Sequence, residues 1–149
     1  MKRIFSIFHL ILVNLFFLGI NSAIVAEEQW IFDLKTGCKI AWVSDVYTPV
    51  SVNWNGSVVN GKAEGQGALM LVVRGKDGKE KQCEANASMK EGKLDGNVKI
   101  KWSNGEYYEG TYKGGLKEGH GFHKGANGID YYGDWHKGQP SGWGVMKWP

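Results

Sequence analysis

Tyr108-Glu109-Gly110-Thr111-Tyr112-Lys113-Gly114-Gly115-Leu116-Lys117-Glu118-Gly119-His120-Gly121 decides the fold, because the chain says it again 23 residues later as Tyr131-Tyr132-Gly133-Asp134-Trp135-His136-Lys137-Gly138-Gln139-Pro140-Ser141-Gly142-Trp143-Gly144. With Gly110 and Gly133 as position zero, each copy has an aromatic residue at minus two and plus two. Glycines follow at plus five, nine and eleven. Such a fixed period marks a repeat architecture built from one supersecondary unit.

Working towards the N-terminus, Gly56 opens a first unit with Trp54 and Val58 as its flanks and Gly61, Gly65 and Gly67 in the later places. A second unit is degenerate: Ala87 stands at zero, Ala85 and Met89 replace the flanking aromatics, Val98 replaces the last glycine, and Gly92 and Gly96 remain. The zero positions are separated by 31, 23 and 23 residues, which places eight extra residues in the first unit. The polar Arg74 to Lys81 segment is the simplest place for them, as a lengthened turn. Glycine fills 14 of the 16 defining places, too regular for chance.

The unit reads as a β-hairpin. Positions minus two, zero and plus two share one strand face because side chains alternate. That face carries Trp54-Gly56-Val58, Tyr108-Gly110-Tyr112 and Tyr131-Gly133-Trp135, against largely polar opposite faces such as Glu109, Thr111 and Lys113. A glycine between large residues weakens a strand but leaves a slot in which a neighbouring strand's ring can lie on the backbone. Asn104-Gly105 and Asn127-Gly128 are tight-turn signals joining one unit to the next. The expected fold is all-β: an elongated, single-layer antiparallel sheet of consecutive hairpins, with units starting near 54, 85, 108 and 131.

The segments 108–121 and 131–144 resemble MORN (membrane occupation and recognition nexus) repeats, and the resemblance extends over residues 52–149. It implies stacked aromatics and glycines on a long sheet, and a non-enzymatic binding or scaffolding role with proteins or near membranes. Gly119 and Gly142 belong to the same pattern as Gly65, and Gly121 and Gly144 to that of Gly67.

Residues 27–51 lack the repeat. Short β-prone runs, Trp30-Ile31-Phe32, Lys39 to Val43 and Val50 to Val52, are separated by turn-prone pairs and predict a β-rich cap over the first edge of the sheet. Residues 1–26 have the layout of a secretory signal peptide: Lys2 and Arg3, an apolar run from Ile4 to Ile20, and small residues before Glu27. The short basic region points to a bacterial envelope, so the expected location is periplasmic or secreted. Removing that segment lowers the net charge from +3 to 16 minus 15, or +1, and a near-neutral chain argues against nucleic acid. In an exported chain the only two cysteines, Cys38 and Cys83, are a natural disulfide pair.

Catalytic chemistry finds little footing. Ser103 and Ser141 sit in turn contexts without a nucleophile elbow, and the glycines do not open a helix as a phosphate loop would. His120, His123 and His136 have no metal-ligand spacing, and His120 and His123 project to opposite faces of one strand. Neither a metal nor a cofactor is expected. What remains is binding. Most rings belong to the fold's own core, whereas Tyr132 and Trp143 lie outside the glycine-facing register and are free to make contacts, with Lys113 and Lys137 nearby. The first expectation is a protein partner in the envelope. The alternative is a lipid surface or a glycan met by the same Trp, Tyr and Lys side chains, with Lys117, Lys124 and Lys147 adding to the charge that an anionic membrane surface would attract.

Overall fold

The computed structural model describes residues 28–42, 44 and 46–149; the signal-peptide reading of residues 1–26 lies outside them. Eleven strands follow in order: β1 (Gln29–Phe32), β2 (Lys39–Trp42), β3 (Tyr47–Trp54), β4 (Ser57–Val59), β5 (Lys62–Gly75), β6 (Glu80–Lys90), β7 (Lys93–Trp102), β8 (Tyr107–Lys113), β9 (Leu116–Lys124), β10 (Asp130–His136) and β11 (Gln139–Lys147). They form one open, mostly antiparallel sheet in which β5 to β11 are neighbours in chain order. The four repeat units are β4–β5, β6–β7, β8–β9 and β10–β11.

Two glycine places are explained by backbone geometry. Each repeat unit turns through two residues at positive φ, Asn60-Gly61, Glu91-Gly92, Gly114-Gly115 and Lys137-Gly138. That is the requirement of a two-residue turn matched to strand twist. The plus-nine glycines, Gly65, Gly96, Gly119 and Gly142, also have positive φ. In the third unit Gly110 pairs with Gly121 but Thr111 pairs with Glu118, so Gly119 and His120 bulge out of the ladder. The bulge bends each hairpin at the same height.

The other two glycine places receive a ring, but not the ring expected. At the zero place it comes from minus two of the same arm, and at plus eleven from the paired arm of the same hairpin, so no neighbouring unit supplies it. A Cβ on Gly110 would stand 2.5 Å from the Tyr108 hydroxyl and one on Gly121 2.7 Å from it, so Tyr108 covers the paired glycines of its own hairpin. Tyr131 covers Gly133 and Gly144 in the same way, and Trp54 covers Gly56 and Gly67. The polar tip of each ring then reaches one backbone carbonyl at plus one. Trp54 Nε1 donates to Ser57 O at 2.9 Å, Tyr108 Oη to Thr111 O at 3.3 Å and Tyr131 Oη to Asp134 O at 2.9 Å. Folding a side chain back over its own strand keeps its contacts local, and tyrosine or tryptophan serves because each has a donor at the far end.

The eight extra residues of the first unit lengthen strands instead of a turn. The loop from Gly75 to Lys79 closes with the same hydrogen bonds as Gly125 to Ile129: Gly75 N to Lys79 O, and Gly78 N to Gly75 O. It starts 19 residues after the zero glycine, against 15 in the third unit, so each arm gains four residues. The added length of β5 is where β3 pairs, Tyr47 opposite Gly75 through Trp54 opposite Leu69.

The N-terminal strands divide the capping between them. β3 covers the first edge, as expected. The β1–β2 hairpin instead crosses the buried face, with Ile40 in the core and Ile31 and Trp42 packed against it. Beneath lie Ala85, Ala87 and Val98 of the degenerate unit, all buried although no ring of their own unit covers them. Asp33 fastens this hairpin: its carboxylate accepts from Trp54 N (2.9 Å) and Lys35 N (2.8 Å). Burial works to raise its pKa, but these bonds and those from Thr36 hold it below the ordinary value.

The disulfide expectation is corrected: Cys38 and Cys83 are both buried free thiols. They belong to different parts of the core. Cys38 lies in the β1–β2 connection, its carbonyl bonded to Asp33 N at 2.9 Å. Cys83 lies mid-sheet in β6 between Leu71 and Trp102. An even cysteine count could not distinguish these places.

Candidate functional site

Where the cap stops, the buried face opens into a cavity of about 230 Å³ between Trp42 and the third unit. Its floor is aliphatic, from Leu69, Leu71, Ala85 and Ile100, and its walls include Trp42, Trp102, Tyr108 and Tyr112. Trp102 is fixed edge-on to Trp42 and stacked against Tyr47, with ring centroids 6.3 Å apart in both pairs. Tyr112 meets Tyr108 edge-on at 5.4 Å. These walls are therefore braced by other rings.

Charge enters at one rim. Lys117 Nζ lies 4.5 Å from the centre of the Tyr108 ring and 4.4 Å from that of Trp135. Burial pushes its ammonium pKa down to about 8, with the nearby Glu106 carboxylate pulling the other way. Two π faces also favour the cation. The His123 ring bonds to Glu106 (3.1 Å), and this bond, against the opposing effect of burial, holds the carboxyl below its usual range. On the cap side Lys93 pairs with Glu28. The site is an apolar slot with a held cation and a held carboxylate at its mouth, suited to an aliphatic or aromatic group on a polar backbone. Burial pushes the Cys83 thiol and the Tyr108 hydroxyl each up to about 12, so neither offers an anionic nucleophile near neutral pH.

The repeat residues predicted from sequence come together as the lattice behind this slot. Trp135 meets both Tyr108 (5.6 Å) and Tyr131 (5.3 Å), linking the last two units through their rings. The predicted contact residues lie elsewhere. Tyr132 and Trp143 are 57% and 89% exposed, each next in the chain to a member of the Tyr131–Gly144 ring contact. Tyr132 stands edge-on to His120, and Trp143 N donates to Asp134. Lys113 ends β8 and Lys137 occupies a hairpin turn, so these four residues do not line the cavity. His120, His123 and His136 each face a carboxylate, Asp134, Glu106 and Glu118, and no group of three metal-ligating side chains is present among the described residues.

Sequence reasoning passed over Trp102 as a site residue and took Lys117 only as one of several lysines suited to an anionic surface. The signal for Lys117 is visible in the alignment of units: its place is held by Ala63, Leu94 and Pro140 in the others. A lysine in an apolar place asks for a special environment. Trp102 carries no such mark, since Leu71 occupies the same place in the first unit.

Comparison with protein families matches residues 54–69, 108–129 and 131–149 to the MORN repeat. The chain carries MORN repeats. The unmatched second unit is the one whose ring and paired glycines are replaced by Ala85, Ala87 and Val98. No curated protein matches the chain. MORN repeats are commonly protein- or membrane-binding modules and generally non-enzymatic. In this MORN sheet the cavity lies at the junction of the degenerate second unit and the regular third.

Proposed function

We propose that this protein is a non-enzymatic, exported binding module that holds a segment of another cell-envelope protein in the slot between its cap and its third repeat. The observation that carries this reading is the cavity itself: an apolar floor with braced aromatic walls and Lys117 held at the mouth. Anchoring pockets of protein interfaces have this character, a desolvated aromatic centre with polar groups at its edge. Export rests on the layout of residues 1–26, and the envelope on their short basic region.

A photo-crosslinking residue in place of Lys117, expressed in the native cell, tests both parts. The expected result is one protein adduct in the envelope fraction, abolished by Trp102→Ala in the same chain. Recovery of the protein from the cytosol alone would end the export reading, and adducts with lipid alone would end the protein-partner reading.

A second reading, contact with a lipid surface or glycan, is favoured by the exposure of Tyr132 and Trp143. Flat exposed rings suit sugars and interfaces. Retention on anionic vesicles, lost in high salt and lost with Trp143→Ala, would support it over the first.

A further inference from the structure

The hairpin turns of successive units are joined to one another. Gly92 N donates to Ala63 O at 2.9 Å, Gly115 N to Leu94 O at 2.8 Å and Gly138 N to Lys117 O at 2.9 Å. The second turn glycine of each unit thus bonds back to the unit before it, and the turns form a regular row across the sheet. In the first half of the row the glycine carbonyls are also engaged. Lys39 N donates to Gly61 O at 2.8 Å and Ala41 N to Gly92 O at 2.7 Å, so β2 lies along the row and takes one turn per two residues. Among the described residues no hydrogen bond reaches the carbonyls of Gly115 or Gly138. The row continues past β2, and its next turn, Gly114-Gly115, is a wall of the cavity that Ala41 and Trp42 bound on the other side.

We propose that the open half of this row is a strand-addition site. An extended segment of a partner protein lies along Gly115 and Gly138, donates alternate backbone N–H groups to their carbonyls, and drops an apolar side chain into the cavity. This deepens the binding-module reading and rests on it. Continuity with β2 is the argument: the chain's own strand already uses the first two turns, and the turn-to-turn bonds keep the same geometry in the last two. Main-chain bonds supply affinity in this mode while pockets for alternate side chains supply specificity. Charge does not select the segment: the place of Lys93, which pairs with Glu28 of the cap, is held by Leu116 and Gln139 in the later units, and Asp95 and Glu118 already accept from Gly114 N and Lys137 N, so the partner segment is extended and apolar like β2.

The probe is a synthetic peptide with the sequence of residues 36–42, serine replacing Cys38, titrated into the isotope-labelled full chain and followed by amide NMR. A second peptide is N-methylated at its lysine and alanine. The expected result is saturable shifts at Gly115 and Gly138, with N-methylation weakening binding about tenfold or more, as loss of two hydrogen bonds requires. Shifts confined to Gly61 and Gly92 would show only exchange with β2 and would overturn the proposal, as would absence of binding at millimolar peptide. Binding only after removal of residues 1–26 would give the row to the chain's own N-terminus. A concentration-dependent dimer with shifts at Gly115 and Gly138 in the absence of peptide would give it to a second copy. Either outcome overturns the partner assignment. Undiminished binding of the N-methylated peptide, with shifts at Trp102 and Tyr112, would remove the row and leave the slot reading standing; loss of the Lys117 crosslink would remove the slot reading.

Discussion

The second unit and the other three solve the same problem differently. A sheet must bury one face against something. In the third and fourth units the sheet covers itself: Tyr108 and Tyr131 fold back over their own paired glycines, and Trp135 joins them. In the second unit the paired places are Ala87 and Val98, there is no ring at Ala85, and the cover comes from the β1–β2 hairpin. The ring-on-glycine device is therefore absent in the one unit whose cover comes from the cap. The cavity falls where one solution gives way to the other.

The sharpest way to break this comparison is to place a side chain under a ring. Gly133→Val sets a Cβ 2.5 Å from the Gly144 backbone and 2.6 Å from the Tyr131 hydroxyl. We expect a loss of about 4 kcal/mol in denaturant unfolding, since backbone cannot yield as a side chain can. At the matching place of the covered unit, Ala87→Gly should cost about 1 kcal/mol, the ordinary price of glycine in a strand. Equal costs at the two places would dissolve the distinction.

Releasing the cap should come next. Asp33→Ala removes charge-assisted bonds to Trp54 N and Lys35 N, and about 3 kcal/mol should be lost. Hydrogen exchange should quicken at Ala85 to Met89 and spare Tyr131 to Trp135. Uniform quickening would mean that the two halves are one cooperative unit.

Removing only the tip of a ring is milder. Tyr131→Phe loses the 2.9 Å bond to Asp134 O and should cost about 1 kcal/mol, with the ring itself still in place.

The smallest effect concerns Glu106 at the mouth of the slot. Its folded pKa is held below the ordinary 4.5, chiefly by the His123 bond, so its stabilisation is present above 4.5 and is lost as pH falls through the lowered folded value. Partial exposure limits it to about 1 kcal/mol or less. Glu106→Gln should flatten the acid limb of the stability curve below pH 4.5 by lowering the neutral value by that amount, and leave the value at the acid end little changed.

Much of this molecule is set by short-range rules and was readable from the chain alone. The spacing of Gly110, Gly115, Gly119 and Gly121 specifies a strand, a two-residue turn and a bulge, because each place answers a local backbone or close-contact demand. The opposite projection of His120 and His123 follows from strand alternation and is seen in their contacts with Tyr132 and Trp135. Other features belong to tertiary structure. Which strand supplies the ring over a glycine depends on the path of a side chain, and Tyr108 takes the local one. The separation of Cys38 from Cys83, the crossing of β1–β2 over the buried face, and the gathering of Trp42, Trp102 and Lys117 depend on how far the sheet bends and where the cap comes to rest. Periodicity reports what each residue does to its neighbours in the chain; the slot is made by residues from six different strands, and only their packing brings them to one place.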